Sequence, residues 1–319
     1  MLLSACSGPA EPAVSTPQPP AVSGSQGPDA SIPAPPEGSI LVVDHLEQSF
    51  SVQPPQRVAC LIGSFTDVWL LAGGEDTLVA SAGDAWTSLG LDLGEDVVNL
   101  GSVAEPNLEL LLAAEPDFVL ASLNTKADVA LLDTFEELGI PVAYFQVTGF
   151  QDYLELLAVC TDLTGQPDNF QRYGVEVLAQ IEAAKAKIDG SAPRVLYIRA
   201  SGSSCKVKNS ENSVLGEMLA DLGCVNIADS QTGLLENLSL EVILAEDPDF
   251  IFAVLQGADS AAAEEVLRES LLSNPAWQSL TAVQEGRFHI LDKRLYNLKP
   301  NGHWGEAYEA LADILYPAP

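Results

Sequence analysis

The sequence predicts an α/β protein of two Rossmann-like lobes joined by one long helix, with a cleft between the lobes where a ligand can sit. Three observations predict it. First, residues 109–121 align without a gap on residues 241–253, with seven of the thirteen positions identical. Each copy reads as an amphipathic helix closed by a Pro-Asp pair (Pro116-Asp117 and Pro248-Asp249) and followed by an apolar strand, which is half of a βαβ unit. Second, the glycine-bounded apolar run at 57–62 has a counterpart at 193–198. Third, residues 152–187 between the halves carry a nearly continuous helical pattern. Two doubly wound lobes place their strand ends against a common crevice.

Residues 1–39 hold nine of the 21 prolines, many Ser and Gly, and no Lys or Arg. Such a stretch buries too little apolar area to offset the entropy of ordering, and it is expected to be a disordered tether. At its start Leu3-Ser4-Ala5-Cys6 fits a bacterial lipobox, which makes Cys6 the expected lipidation site and holds the chain at a membrane surface. Met1 to Ala5 is shorter than a signal h-region of roughly 7 to 15 residues, so the natural start is expected upstream. No apolar run reaches the 18 or more residues of a spanning helix, leaving the lipid anchor as the expected membrane attachment.

The N-terminal lobe is expected over 40–165. It begins with a hairpin arm at 40–50 and a buried strand at 57–62, and continues with a helix from about Thr66 to Ala72 and a strand at 78–80. The first repeat copy, a helix at 125–138 and a strand at 140–145 complete it. The linking helix is expected over 166–190, where Phe170, Tyr173, Val177, Ile181, Ala184 and Ile188 recur every three or four residues and fall on one face. A helical strut limits the closure that a flexible hinge would allow. The C-terminal lobe, 191–319, matches the first except for about twelve extra residues between its first strand and helix. That insert, around Ser201 to Ser210, reads as a loop carrying Lys206 and Lys208.

With 319 residues and 47% hydrophobic content the chain can bury two cores of domain size. Its 14 basic against 45 acidic residues leave a net charge of −31, which repels phosphate backbones and argues against nucleic-acid binding. Each clustered Lys or Arg therefore matters. Cys60 and Cys160 fall in apolar patterns and read as inert buried thiols. A disulfide between Cys205 and Cys224 stays open. His45, His289 and His303 are widely separated and lack ligand spacing, so no bare transition-metal site and no cofactor is expected.

The repeated pattern of residues 107–121, the opening 57–74, the mid-chain helix and the closing 274–291 resemble the helical-backbone class of ABC-transporter substrate-binding proteins, which serve importers of ferric siderophores, haem and cobalamin. The resemblance spans 57–316. It implies a rigid linking helix, little motion on binding, a monomer, and a ligand held between the lobes for delivery to a dimeric permease. It also assigns permease docking to Glu109 and Glu241, the first residues of the two repeat copies. At helix starts a carboxylate is favoured by the dipole, and symmetric placement suits a two-fold partner. In similar sequences an arginine is expected where His303 stands.

Ligand candidates follow from position at strand ends. In the first lobe they are Ser64, Phe65, Asp84, Trp86, Asn124 and Gln146, with Trp86 able to cover a macrocycle or aromatic chelate. In the second they are Arg199, Lys206, Lys208, Gln256, Arg294, Tyr296 and Lys299, a basic wall suited to an anionic ligand. An iron siderophore leads, with cobalamin and haem behind. Two other readings stand beside the carrier: a chelatase-like enzyme on the same scaffold, and a surface lipoprotein that binds another protein. The scattered Cys and His supply neither a positioned general base nor cluster ligands, and no Walker-type GxxxxGK[ST] occurs.

Overall fold

The glycine- and proline-bounded apolar runs become the strands of two sheets in a computed structural model, which describes residues 37–257 and 259–317. The lipidation site Cys6 and most of the expected tether, residues 1–36, lie outside the described residues.

The arm is an antiparallel hairpin of β1 (Ile40–Val43) and β2 (Ser49–Val52). Buried Asp44 pins it: Oδ1 accepts from the amides of Leu46 and Gln48, and Oδ2 from that of Tyr144. The N-terminal sheet is wholly parallel, built from β3 (Val58–Cys60), β4 (Leu78–Ser81), β5 (Val98–Asn99), β6 (Phe118–Ser122) and β7 (Val142–Phe145) in the spatial order β5-β4-β3-β6-β7. The order runs outward from β3 in both directions, so the topological switch point lies between β3 and β6. Helix α1 (Gly63–Leu71) follows β3, and α2 (Leu108–Ala113) is the helix of the first repeat copy. The helix expected over 125–138 is two pieces, Lys126–Val129 and α3 (Leu132–Leu138).

The spine starts with α4 (Phe150–Thr164), which ends on left-handed Gly165. It resumes as the turn Pro167–Phe170, a π-helical turn Gln171–Val175, and α5 (Glu176–Lys185). Val177, Ile181 and Ala184 are buried at the expected spacing, while Ile188 is exposed.

The C-terminal sheet contains β8 (Arg194–Ser201), β9 (Ser204–Lys208), β10 (Val225–Asn226), β11 (Phe250–Leu255) and β12 (Phe288–Leu291). Its path is β9-β8-β11-β12, and β10 pairs with the start of β8, on Arg194 and Val195. The insert read as a loop is corrected here. It folds back as β9, antiparallel to the upper half of β8 with Arg199 opposite Lys206 and Tyr197 opposite Lys208, because a two-residue Gly202-Ser203 turn returns the chain onto an edge that short β10 leaves open. Helix α6 (Val214–Asp221) follows, then the repeat helix α7 (Leu240–Glu246) before β11. Helix α8 (Trp304–Leu315) ends the chain against α5.

Both sheets are covered on both faces, so their strands alternate between two cores. Val58 and Cys60 of β3 face one core and Ala59 and Leu61 the other; Tyr197 and Phe252 face the first of these, Leu196 and Ile251 a third. The outer faces have separate clusters, one per lobe. The inner faces merge with α4, α5 and α8 into one cluster holding Trp69, Tyr153, Ile181, Met218, Trp304 and Tyr308. All four cysteines of the described residues are free, including Cys205 and Cys224. No described helix is long and apolar enough to cross a membrane.

Candidate functional site between the lobes

The loops after the parallel strands set the floor of an interlobe cavity of about 130 Å³. From the N-terminal lobe come Asn124, after β6, and Val147 and Thr148, after β7. From the other lobe come Tyr197 and Arg199 of β8, Asn212 and Ser213 before α6, and Tyr296, Asn297 and Lys299 after β12. Roomier hollows of about 580 and 350 Å³ lie elsewhere, at the amino ends of the strands, beside Asp249 and Arg287 and beside Val142. In doubly wound sheets the carboxyl ends carry the ligand crevice.

A strap from the second lobe spans the gap. Lys293 Nζ donates to the Gly257 carbonyl in its own lobe, at 2.8 Å. Farther along, Asn301 Nδ2 reaches the first lobe and donates to the Ser64 carbonyl and to Asp67 Oδ2, each at 2.8 Å. Asn301 is buried at φ 52°, a left-handed conformation that asparagine tolerates.

Between these anchors Lys299 lies in the field of two carboxylates of the first lobe, Asp84 and Asp128, without forming an ion pair to either within 4.0 Å. Burial pulls its ammonium down to about 8, against the opposing charges of Asp84 and Asp128. Asp84 Oδ1 accepts the Gly63 amide at the start of α1, 2.8 Å away, and burial raises its carboxyl. Asp128 is fully buried; Oδ2 accepts the Ser122 amide at 2.9 Å and Oδ1 has no partner. Burial, with the Asp84 charge adding to it, pushes Asp128 up to about 7.

The predicted residues fall into distinct places. Asn124, Arg199, Tyr296 and Lys299 line the cavity. Lys206 and Lys208 stand on the same face of the sheet as Arg199, and the neighbouring Arg199 and Lys206 charges join burial in lowering Lys208. Gln146 is half-buried, its backbone N–H donating to His45 Nδ1, and Trp86 is half-buried on the turn Asp84–Thr87. Gln256 and Arg294 are exposed outside the cavity lining. Ser64 is buried and engaged through its carbonyl, and Phe65 is fully buried in the shared core, where its ring offers no surface to a ligand. The Tyr296 hydroxyl is spent on the Ala307 carbonyl at 3.1 Å. Glu109 and Glu241 are both exposed in the first turns of α2 and α7, which are capped alike by Asn107 and Ser239. His303 is exposed and bonded to Glu306.

Sequence reasoning missed Thr148, Tyr197, Asn212, Ser213 and Asn297. A signal existed for Ser213, a serine directly before the apolar start of a helix. The buried role of Asp128 left no trace in the pattern.

Charge is distributed unevenly. Among the described residues Lys185, Lys187, Arg194, Arg268 and Arg287 pair with carboxylates within 4.0 Å, and the other nine Lys and Arg pair with none; of those nine, Arg199, Lys206 and Lys208 stand together on one sheet face. Among the described residues, no group of three or more His, Cys, Asp or Glu side chains is placed to hold a metal ion.

Two doubly wound lobes facing one crevice across a helical spine define a bilobal substrate-binding protein. The chain belongs to the periplasmic binding protein family, whose model matches residues 58–295. It is 25% identical over 256 residues, 78% of each chain, to the iron-uptake system-binding protein of Bacillus subtilis. To the high-affinity haem uptake system protein IsdE of Staphylococcus aureus it is 22% identical over 70% of this chain and 75% of that one. The solved structure of the vitamin B12 binding protein BtuF of Vibrio cholerae shares the fold, with a TM-score of 0.65 at 19% identity over 82% of this chain and 97% of that one.

Proposed function

We propose that this chain is the extracytoplasmic, lipid-anchored substrate-binding component of an ABC importer, which captures an anionic iron chelate or haem and hands it to a permease dimer. The observation that carries the ligand reading is Arg199, which lines the interlobe cavity, with Lys206 and Lys208 beside it on the same sheet face, none of the three within 4.0 Å of a carboxylate of the described residues, in a chain whose net charge is −31. Clustered cations without carboxylate partners repel one another until an anion joins them, and such a wall draws carboxylates or catecholates into a cleft that the rest of the surface would repel. Relatives named for iron uptake and haem support the same cargo class. Anchoring through Cys6 and docking through Glu109 and Glu241 complete the reading.

The experiment is a thermal-shift and fluorescence titration of the purified chain with ferric siderophores, haemin and cyanocobalamin. At a hundredfold excess over Kd a ligand adds about 2.7 kcal/mol to native stability, so at least one of the anionic iron compounds raises the midpoint by several degrees. No shift with any of them overturns the carrier reading.

A further inference from the structure

We infer that the permease dimer is gripped by one outward face repeated in both lobes, Glu109, Leu112 and Ala113 on α2 and Glu241, Leu244 and Ala245 on α7, so that docking is apolar as well as ionic. The inference rests on the carrier reading above and extends its two glutamates to a surface.

The duplication isolates this face. Residues 109–121 and 241–253 share seven positions, and the fold accounts for four of them. Pro116 and Pro248 are buried where the helices end, and Asp117 and Asp249 accept the amides of Arg57 and Arg194. Phe118 with Phe250, and Ala121 with Ala253, are buried in β6 and β11. The other three identities are Glu109 with Glu241, Leu112 with Leu244, and Ala113 with Ala245. Their i, i+3, i+4 spacing sets them on one side of each helix. That side turns outward: Glu109, Ala113, Glu241 and Ala245 are exposed, Leu112 is 37% exposed, and Leu244 is half-buried. Elsewhere on the same helices the copies have diverged, with Leu111 against Ile243 in the cores and Ala114 against Glu246. Exposed positions change at little cost to stability, so an unchanged outward triplet in two diverged copies points to a partner that meets both.

The triplet also states the chemistry of that partner. Among the described residues neither Glu109 nor Glu241 forms an ion pair, which leaves each carboxylate for a cation from outside. The leucine one turn on calls for an apolar recess beside that cation, and the alanine next to it lets the facing surface approach closely. Two such faces fit a partner that offers the same cation and recess twice, as the halves of a two-fold dimer do. A second copy of this chain, at a net charge of −31, is repelled.

The test places a photoreactive benzoylphenylalanine at Ala113 or at Ala245 of the full chain, in cells that carry the importer, with exposed Glu176 on α5 as the control position. Both alanine positions cross-link to one and the same polytopic membrane protein, and the control position does not. In a second arm, Ala113→Gln and Ala245→Gln are combined, adding uncharged bulk to both faces with a good helix former. Uptake of radiolabelled ferric citrate or haemin falls about tenfold in cells carrying this pair, while the purified variant melts with the native chain and binds the same compound within about twofold. Unchanged uptake by the glutamine pair, beside a loss in the Glu109→Lys, Glu241→Lys pair, overturns the repeated face and leaves docking through the glutamates standing. Cross-links to a second copy of this chain, to two different proteins or to none overturn it as well. Failure of the carrier reading shows separately, as no ligand bound by the purified native chain.

Discussion

Asp128 is the residue whose charge state most directly couples the cleft floor to stability. Its carboxyl rises from 3.8 to about 7 because it is fully buried with one oxygen unpartnered, while Lys299 opposes that rise. Between those two values the native state holds a proton that the unfolded chain has lost, so this group's contribution declines as pH rises from 3.8 to about 7. Lys299 works in the opposite sense, but only above about 8, where the native state releases its proton before the unfolded chain does. Asp128→Asn removes the buried charge and keeps an acceptor for the Ser122 amide. Its melting temperature is expected to match the native chain near pH 4 and to exceed it increasingly up to pH 8, by about 2–4 °C for each kcal/mol recovered. A difference that is flat with pH across that range would contradict the assignment.

At the scale of elements, the spine is held by a core that belongs to neither lobe alone. Ile181 of α5 is buried in the cluster that also contains Phe65 and Trp69 of the first lobe and Tyr197 and Phe252 of the second. Opening the cleft widely would shear that core, which gives a structural reason for a stiff connector. Ile181→Ala is expected to cost about 2–5 kcal/mol and to lower one common transition rather than split it. Calorimetry checks this: equal calorimetric and van't Hoff enthalpies in the variant support the shared core, and two separable peaks count against it. The strands and the repeat were legible in sequence because their physics is local. Runs such as 118–121 are apolar at every position since both faces are covered, and the Pro-Asp pair recurs because Asp117 and Asp249 each accept an amide at the entry to a strand, at Arg57 just before β3 and at Arg194 at the start of β8. Strand β9 was hidden because its polar, Ser- and Lys-rich stretch turns only Cys205 and Val207 inward. The site was half legible. Strand-end position marks Asn124, Arg199 and Lys299, but whether Phe65 faces the cleft or the core, and which residues meet across the gap, depends on how α1 and α6 pack against the sheets.

At the scale of the whole molecule, the duplication that builds the cleft also sets two acidic residues in equivalent places. Glu109 and Glu241 occupy the same turn of α2 and α7, behind the same kind of cap, and both side chains are exposed. Neither forms a salt bridge with a described residue, so their helix-start position costs nothing to give up beyond a dipole term of about 0.3–1 kcal/mol each. The expected role is outward: two carboxylates, one per lobe, meeting cations on a two-fold symmetric permease. Charge reversal is therefore expected to separate capture from delivery. Glu109→Lys or Glu241→Lys alone should slow uptake of labelled ferric chelate by cells, and the double variant should abolish it, because like charges now face each other on both sides. Binding of the same chelate by the purified variants should stay within about twofold of the native chain, since both residues lie outside the interlobe cavity lining. Full uptake by the double variant would remove the docking role, and a matching loss of binding would place the two glutamates in ligand capture instead.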